Sequence, residues 1–232
     1  MATQLFSRNG TPGAIHSARP AREMAAHPPG DTNALERIGT RLVLHRGQTL
    51  FHEGDSNEAV YRVMSGAVRT SRLMADGRRY VADFLFPGDF VGLNDGRTRG
   101  MTADALCDAV LIRYPRSQFD RTLDADRSLG RMILTMLCGG LSSAQDRMLL
   151  LGRKTAAERV ASFLLMMAER KGNERFELPM TREDIADYLG LTVETISRTI
   201  SQFKAKNVIR TEGATTITIT RRELLENLAE AC

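Results

Sequence analysis

The sequence predicts an α+β protein in three parts: an N-terminal jelly-roll β domain, one long helix, and a C-terminal winged helix-turn-helix domain. Between about Leu42 and Tyr114, short β-branched or aromatic runs are broken by glycine turns at Gly47, Gly54, Gly66, Gly77 and Gly88. That spacing marks short antiparallel strands in a sandwich or roll. Beyond Asp124 the apolar residues recur at a helical period instead. Near the C-terminus, two capped helical segments flank a glycine turn and lead into two short β runs, the layout of a helix-turn-helix followed by a wing.

A chain of 232 residues accommodates two compact cores. With 42% hydrophobic and 26% charged residues, wholesale disorder and fibrous architectures are excluded. Apolar runs such as Leu149 to Leu151 and Phe163 to Ala168 fall far short of the roughly 20 residues of a bilayer span, so no membrane segment is expected. Cys107, Cys138 and Cys232 show no CxxC spacing, and His16, His27, His45 and His52 fall in no paired-ligand motif. The expectation is a cytoplasmic protein in a reducing compartment, with no metal and no cofactor. The net charge of +4 is uninformative about partners, because residues 151–232 carry thirteen basic and twelve acidic groups. Motif geometry, and not bulk charge, must identify what this part binds.

Residues 1–30 mix Gly, Pro, Ser, Ala and Arg without periodicity and read as a disordered arm. Residues 31–124 form the roll, whose turns fall at Glu53-Gly54-Asp55, Ser65-Gly66, Asp76-Gly77 and Pro87-Gly88-Asp89, with Val81, Phe84 and Phe86 in its core. Residues 125–151 form the long helix, with Leu129, Ile133, Met136, Leu137, Gly140, Leu141, Ala144 and Met148 along one stripe. Such a stripe suits a dimer interface, the small glycines permitting close approach of a second helix; the rival reading buries it against the chain's own β domain. Residues 152–232 form the last domain. It opens with a capping box, Thr155 with Glu158, ahead of Val160, Phe163, Leu164 and Met167, and that helix stops at Lys171-Gly172-Asn173.

In the following segment Thr181 and Asp184 give a second capping signature, and Ile185, Ala186 and Leu189 the buried face of a first helix. Gly190-Leu191 makes the turn. Thr192 caps a second helix with Val193, Ile196, Ile200 and Phe203 inward and Glu194, Thr195, Ser197 and Arg198 outward. These outward groups suit base reading in a major groove. Arg198 can donate two bonds to guanine O6 and N7, Glu194 can accept from cytosine N4, and Ser197 can meet a base edge. Thr192, Thr195, Lys204, Lys206 and Arg210 are candidates for the DNA backbone. Ile209 to Thr211 and Thr216 to Ile219 flank Gly213-Ala214 as a two-stranded wing.

Val193-Glu194-Thr195-Ile196-Ser197-Arg198 resembles the recognition helix of FNR-type regulators, and Asp184 to Leu191 resembles the helix and turn before it. The likeness extends through Phe51 to Asp55, Tyr61 to Arg69, Phe86 to Asp89 and Ala157 to Leu164, so that the chain after residue 30 is identified as a member of the CRP/FNR superfamily, most like the FixK group. This resemblance implies a homodimeric transcription activator that binds double-stranded DNA at an inverted repeat of TTGAT half-sites, works with RNA polymerase and controls microaerobic, nitrogen-fixation or anaerobic genes.

The resemblance also frames what is missing. FNR itself holds an iron–sulfur cluster, but no cysteine precedes Cys107 here, too few thiolates for such a site. Cyclic-nucleotide binders of the superfamily carry a Gly-Glu-Leu loop and an Arg-Ser/Thr pair. The matching stretch, Val91 to Thr98, is short and lacks the glutamate, although Arg97-Thr98 could meet an anion. The alternative reading is a regulator gated by a small molecule in its roll. An enzyme is the weakest reading, because no nucleophile–base pair, GxxxxGK loop or metal motif appears. Any redox role of Cys107 or Cys138 depends on exposure and pKa, which the sequence does not carry.

Overall fold

A computed structural model describes residues 33–93 and 96–230. The N-terminal arm, Asn94, Asp95 and Cys232 lie outside the described residues. After a short helix α1 (Asn33–Glu36) come eight strands: β1 (Thr40–Leu44), β2 (Thr49–Phe51), β3 (Ala59–Ser65), β4 (Val68–Leu73), β5 (Arg79–Leu85), β6 (Phe90–Val91), β7 (Thr102–Ala105) and β8 (Ala109–Pro115). They form two antiparallel four-stranded sheets in the orders β1-β8-β3-β6 and β2-β7-β4-β5. The jelly-roll-like expectation therefore holds, and its glycine turns fall where strand direction reverses. Gly66 shows why one of them must be glycine: its φ is +83°, and a Cβ there would collide with the backbone of Asp108 and Ala109.

The roll is followed by α2 (Arg116–Ala125), which the periodicity does not announce because only Phe119 of its residues is fully buried. Asp126 then separates α2 from α3 (Arg127–Arg153), its carboxylate accepting from the amides of Ser128 and Leu129 at 2.9 and 3.2 Å. The apolar stripe on α3 divides. Leu129 and Ile133 are buried within the chain, among Leu35, Val60, Phe90, Tyr114 and Phe119, and Met136 packs against the same cluster. Leu137, Leu141 and Met148 are exposed, as are Leu134 and Leu149 beside them. Gly140 is also exposed and Ala144 half-buried. Packing on the chain's own roll thus accounts for the first turns of α3 only.

The last domain contains α4 (Ala156–Lys171), β9 (Arg175–Glu177), α5 (Arg182–Leu189), α6 (Val193–Ala205), β10 (Ile209–Glu212), β11 (Thr216–Ile219) and α7 (Arg222–Glu230). The capping box of Thr155 and Glu158 opens α4, and Gly172, at φ +61°, ends it. The wing is a three-stranded sheet in the order β10-β11-β9, not a two-stranded ribbon, because Phe176 of β9 pairs with Ile217 and is buried beneath the helices.

Val81, Phe84 and Phe86 are buried as the sequence indicates, but in a different place from a closed roll core. They join Ala67 and Leu106 in one cluster with Phe163, Leu164, Met167, Ile185 and Tyr188 of α4 and α5. One face of the roll is therefore the floor on which the last domain sits.

Candidate nucleic-acid interface

Helix α5 begins with a reciprocal box in which the Thr181 hydroxyl accepts from the Asp184 amide at 3.1 Å while the Asp184 carboxylate accepts from the Thr181 amide at 2.9 Å. The helix ends at Gly190, whose left-handed φ of +62° turns the chain toward α6. Ile185, Ala186 and Leu189 are buried, as their spacing predicts. The Thr192 hydroxyl caps α6 by accepting from the Thr195 amide at 3.2 Å, and it lies 3.1 Å from the Thr195 hydroxyl. Thr192 and Thr195, both candidates for DNA backbone, are thus engaged with each other at the helix start.

On α6, Ile196, Ile200 and Phe203 are buried. Val193 is not: it is the first residue of the helix and is 38% exposed, which corrects the inward assignment of that side chain. Thr199 is buried in its stead, a polar residue made tolerable by its hydroxyl donating to the Thr195 carbonyl at 2.8 Å. The opposite face carries Glu194, Ser197 and Arg198, all exposed, with Lys204 and Lys206 further along and Arg210 at the wing, also exposed.

Among the described residues, Arg198, Lys204, Lys206 and Arg210 take part in no ion pair, whereas Arg175 and Arg222 nearby are paired to Glu212 and to Glu169, Glu174 and Glu226. The Glu194 backbone amide and the Thr192 hydroxyl hold the Glu194 carboxyl below its ordinary value. Glu194 therefore presents an acceptor near neutral pH, and Arg198 a free planar donor one turn away. Such a face can contact the edges of a G·C pair from an amino group on one base and the acceptors on the other.

Arg159, which the sequence reading passed over, positions this face. Its guanidinium donates to the carbonyls of Leu151, Lys154 and Leu189 at 2.9, 3.0 and 3.0 Å, joining the end of α3, the start of α4 and the end of α5. The only trace in the sequence is a charged residue beside the Glu158 of the capping box. In the roll, Arg97 and Thr98 are exposed, and the neighbouring Arg99 points inward. Arg99 is 3% exposed, with its guanidinium 4.1 Å from the centroid of Phe51 and 5.7 Å from that of Tyr61. Cys107 is half-buried and Cys138 exposed. Among the described residues no cluster of His, Cys, Asp or Glu could hold a metal, and no helix is long and apolar enough to cross a membrane.

A roll of eight strands among the described residues, a long helix and a helix-turn-helix with an exposed polar reading face define a two-part DNA-binding regulator. Known proteins agree with that class. Residues 41–126 match the cyclic nucleotide-binding domain family, and residues 158–228 match the Crp-like helix-turn-helix domain family. The nitrogen fixation regulation protein FixK of Rhizobium meliloti is 39% identical over 193 residues, 82% of this chain and 88% of that protein. FixK of Azorhizobium caulinodans is 37% identical over 93% of this chain and 85% of its own length. The structure of FixK2 from Bradyrhizobium japonicum superposes with a TM-score of 0.80 at 40% identity, covering 84% of this chain and 99% of the other. The chain belongs to the CRP/FNR superfamily of transcription regulators, in its FixK group.

Proposed function

We propose that this regulator is a cytoplasmic homodimeric activator that reads an inverted repeat of TTGAT half-sites and works with RNA polymerase at genes of microaerobic, nitrogen-fixing or anaerobic metabolism. The observation that carries the reading is the outward face of α6, where ionised Glu194 and unpaired Arg198 stand one turn apart at the helix start. Ser197 stands between them, and Thr192, Thr195, Lys204, Lys206 and Arg210 surround them as backbone contacts. The second half of the reading rests on α3. Leu137, Leu141 and Met148, with Gly140 and Ala144 between them, give a seam for a second copy, while Leu129, Ile133 and Met136 anchor the helix to the roll. Two reading heads then address successive major grooves about 34 Å apart.

The protein acts without a bound effector or an iron–sulfur cluster of its own. Arg99 supports this for the roll, because its guanidinium stacks inside on Phe51 and Tyr61 and leaves Arg97 and Thr98 facing outward. The shortage of cysteines supports it for the cluster. Selection of bound sequences from a random DNA pool by purified protein, handled in air with and without cyclic nucleotide, tests the whole reading. A TTGAT inverted repeat recovered equally in both conditions is the expected result; a strict need for nucleotide or for anaerobic handling would overturn effector independence.

A further inference from the structure

The helix-turn-helix rests on the roll through charges as well as hydrocarbon. The side chain of Asp184, the same residue that closes the cap of α5, is 2% exposed and accepts from both Arg69 of β4 and Arg79 of β5, the latter at 2.9 Å. Arg79 also donates through Nε to Asp187, one turn along α5, at 2.7 Å. Arg69 is in turn held by Asp104 of β7 at 3.2 Å, and Asp104 accepts from the Thr49 hydroxyl of β2 at 2.8 Å, so the network runs across the whole sheet. Hydrocarbon surrounds it. Phe84 of β5 packs against Tyr188 of α5 at a centroid distance of 5.1 Å and against Phe163 of α4 at 6.3 Å, Arg147 of α3 lies over Tyr188 at 5.0 Å, and Arg170 of α4 pairs with Asp89 at 2.6 Å. Burial pushes the Asp184 carboxyl up, but the Thr181 amide and hydroxyl, together with Arg69 and Arg79, outweigh that and hold it below the ordinary carboxylate range.

Apart from these contacts, the last domain is tied to α3 by the extended junction at Lys154 and by the Arg159 bonds to Leu151 and Leu189, which reach only the end of α5. Because α5 and α6 share a core and a tight turn at Gly190, whatever fixes α5 fixes the reading helix relative to α3. We infer that Arg69 and Arg79 are positioning residues for DNA reading: they clamp α5 to the roll and thereby set the half-site spacing that a dimer accepts. The inference rests on the dimeric DNA-reading function proposed above. Each added base pair moves a half-site by about 3.4 Å and rotates it around the duplex, so a rigidly held head tolerates one spacer and a loosened head tolerates several.

The test measures affinity of the full-length protein for an inverted repeat at its preferred spacer and at spacers one base pair shorter and longer. Wild type should lose roughly 10- to 100-fold on the altered spacers, the scale of a lost base contact per head. Arg79→Ala, Arg69→Ala and Asp187→Asn, the last chosen because it lies outside the cap, should narrow that ratio to roughly 3-fold or less while keeping the preference for half-site bases. Pairing Arg79→Asp with Asp187→Arg should restore discrimination. A merely structural role would lower affinity for every spacer alike and leave the ratio unchanged; folded, dimeric variants with the wild-type ratio would overturn the inference. Wild type that binds no inverted repeat at any spacer would instead overturn the DNA-reading function beneath it.

Discussion

Helices α3 and α6 are both amphipathic, yet they present opposite chemistry to water. In α6 the apolar residues Ile196, Ile200 and Phe203 are buried inside their own domain, and the exposed face holds Glu194, Ser197 and Arg198. In α3 the roll covers Leu129 and Ile133 and then stops, leaving Leu134, Leu137, Leu141 and Met148 in water. A face of exposed hydrogen-bonding groups suits a polar partner with a donor and acceptor pattern of its own. A contiguous row of exposed leucines is costly unless a similar surface covers it. The difference teaches that amphipathicity identifies a helix, while the partner is identified by which face the rest of the fold leaves uncovered.

The largest expected effect attacks the exposed face of α3. Leu141→Asp would place an unpaired charge in the seam of the proposed dimer and cost about 3–5 kcal/mol of association. Light scattering at micromolar concentration should show a dimer for wild type and a monomer for the variant, with binding to the full inverted repeat lost. A variant that stays dimeric would place the interface elsewhere.

Next comes the exposed face of α6. Arg198→Ala should cost about 1–3 kcal/mol per half-site and relax discrimination at the central G·C pair. Equal losses on matched and G·C-altered repeats would assign Arg198 to phosphate contact or to folding instead of base reading. Thr192→Ala sharpens the comparison from the side of stability, since its hydroxyl caps α6: about 1 kcal/mol should be lost in thermal unfolding of the DNA-free protein. An unchanged midpoint would mean that the cap contributes nothing and that Thr192 acts on DNA alone.

The smallest effect belongs to Lys204, exposed and without an ion pair among the described residues. Lys204→Ala should weaken all DNA sequences alike and lower the salt dependence of log K by about one unit. A slope equal to that of wild type would remove Lys204 from the phosphate-contacting set.

Features that depend on a few neighbouring residues were legible in the chain as letters. Thr155 with Glu158, Thr181 with Asp184, and Thr192 each cap the helix they precede, because a side-chain oxygen three residues from an orphan amide needs no distant partner. The glycine turns of the roll and the period of α6 follow from equally local rules. The one error on α6, Val193, is local too, since it sits at the helix start, and the burial of Thr199 has a local cause, its hydroxyl being satisfied on its own backbone. The rest depended on residues far apart in sequence. The clamp joins Arg69 to Asp184 across 115 positions, β9 is a strand only because β11 lies beside it, and the division of the α3 stripe depends on where the roll ends. No window of sequence contains those partners, so burial and pairing at these places became visible only when the folded chain brought them together.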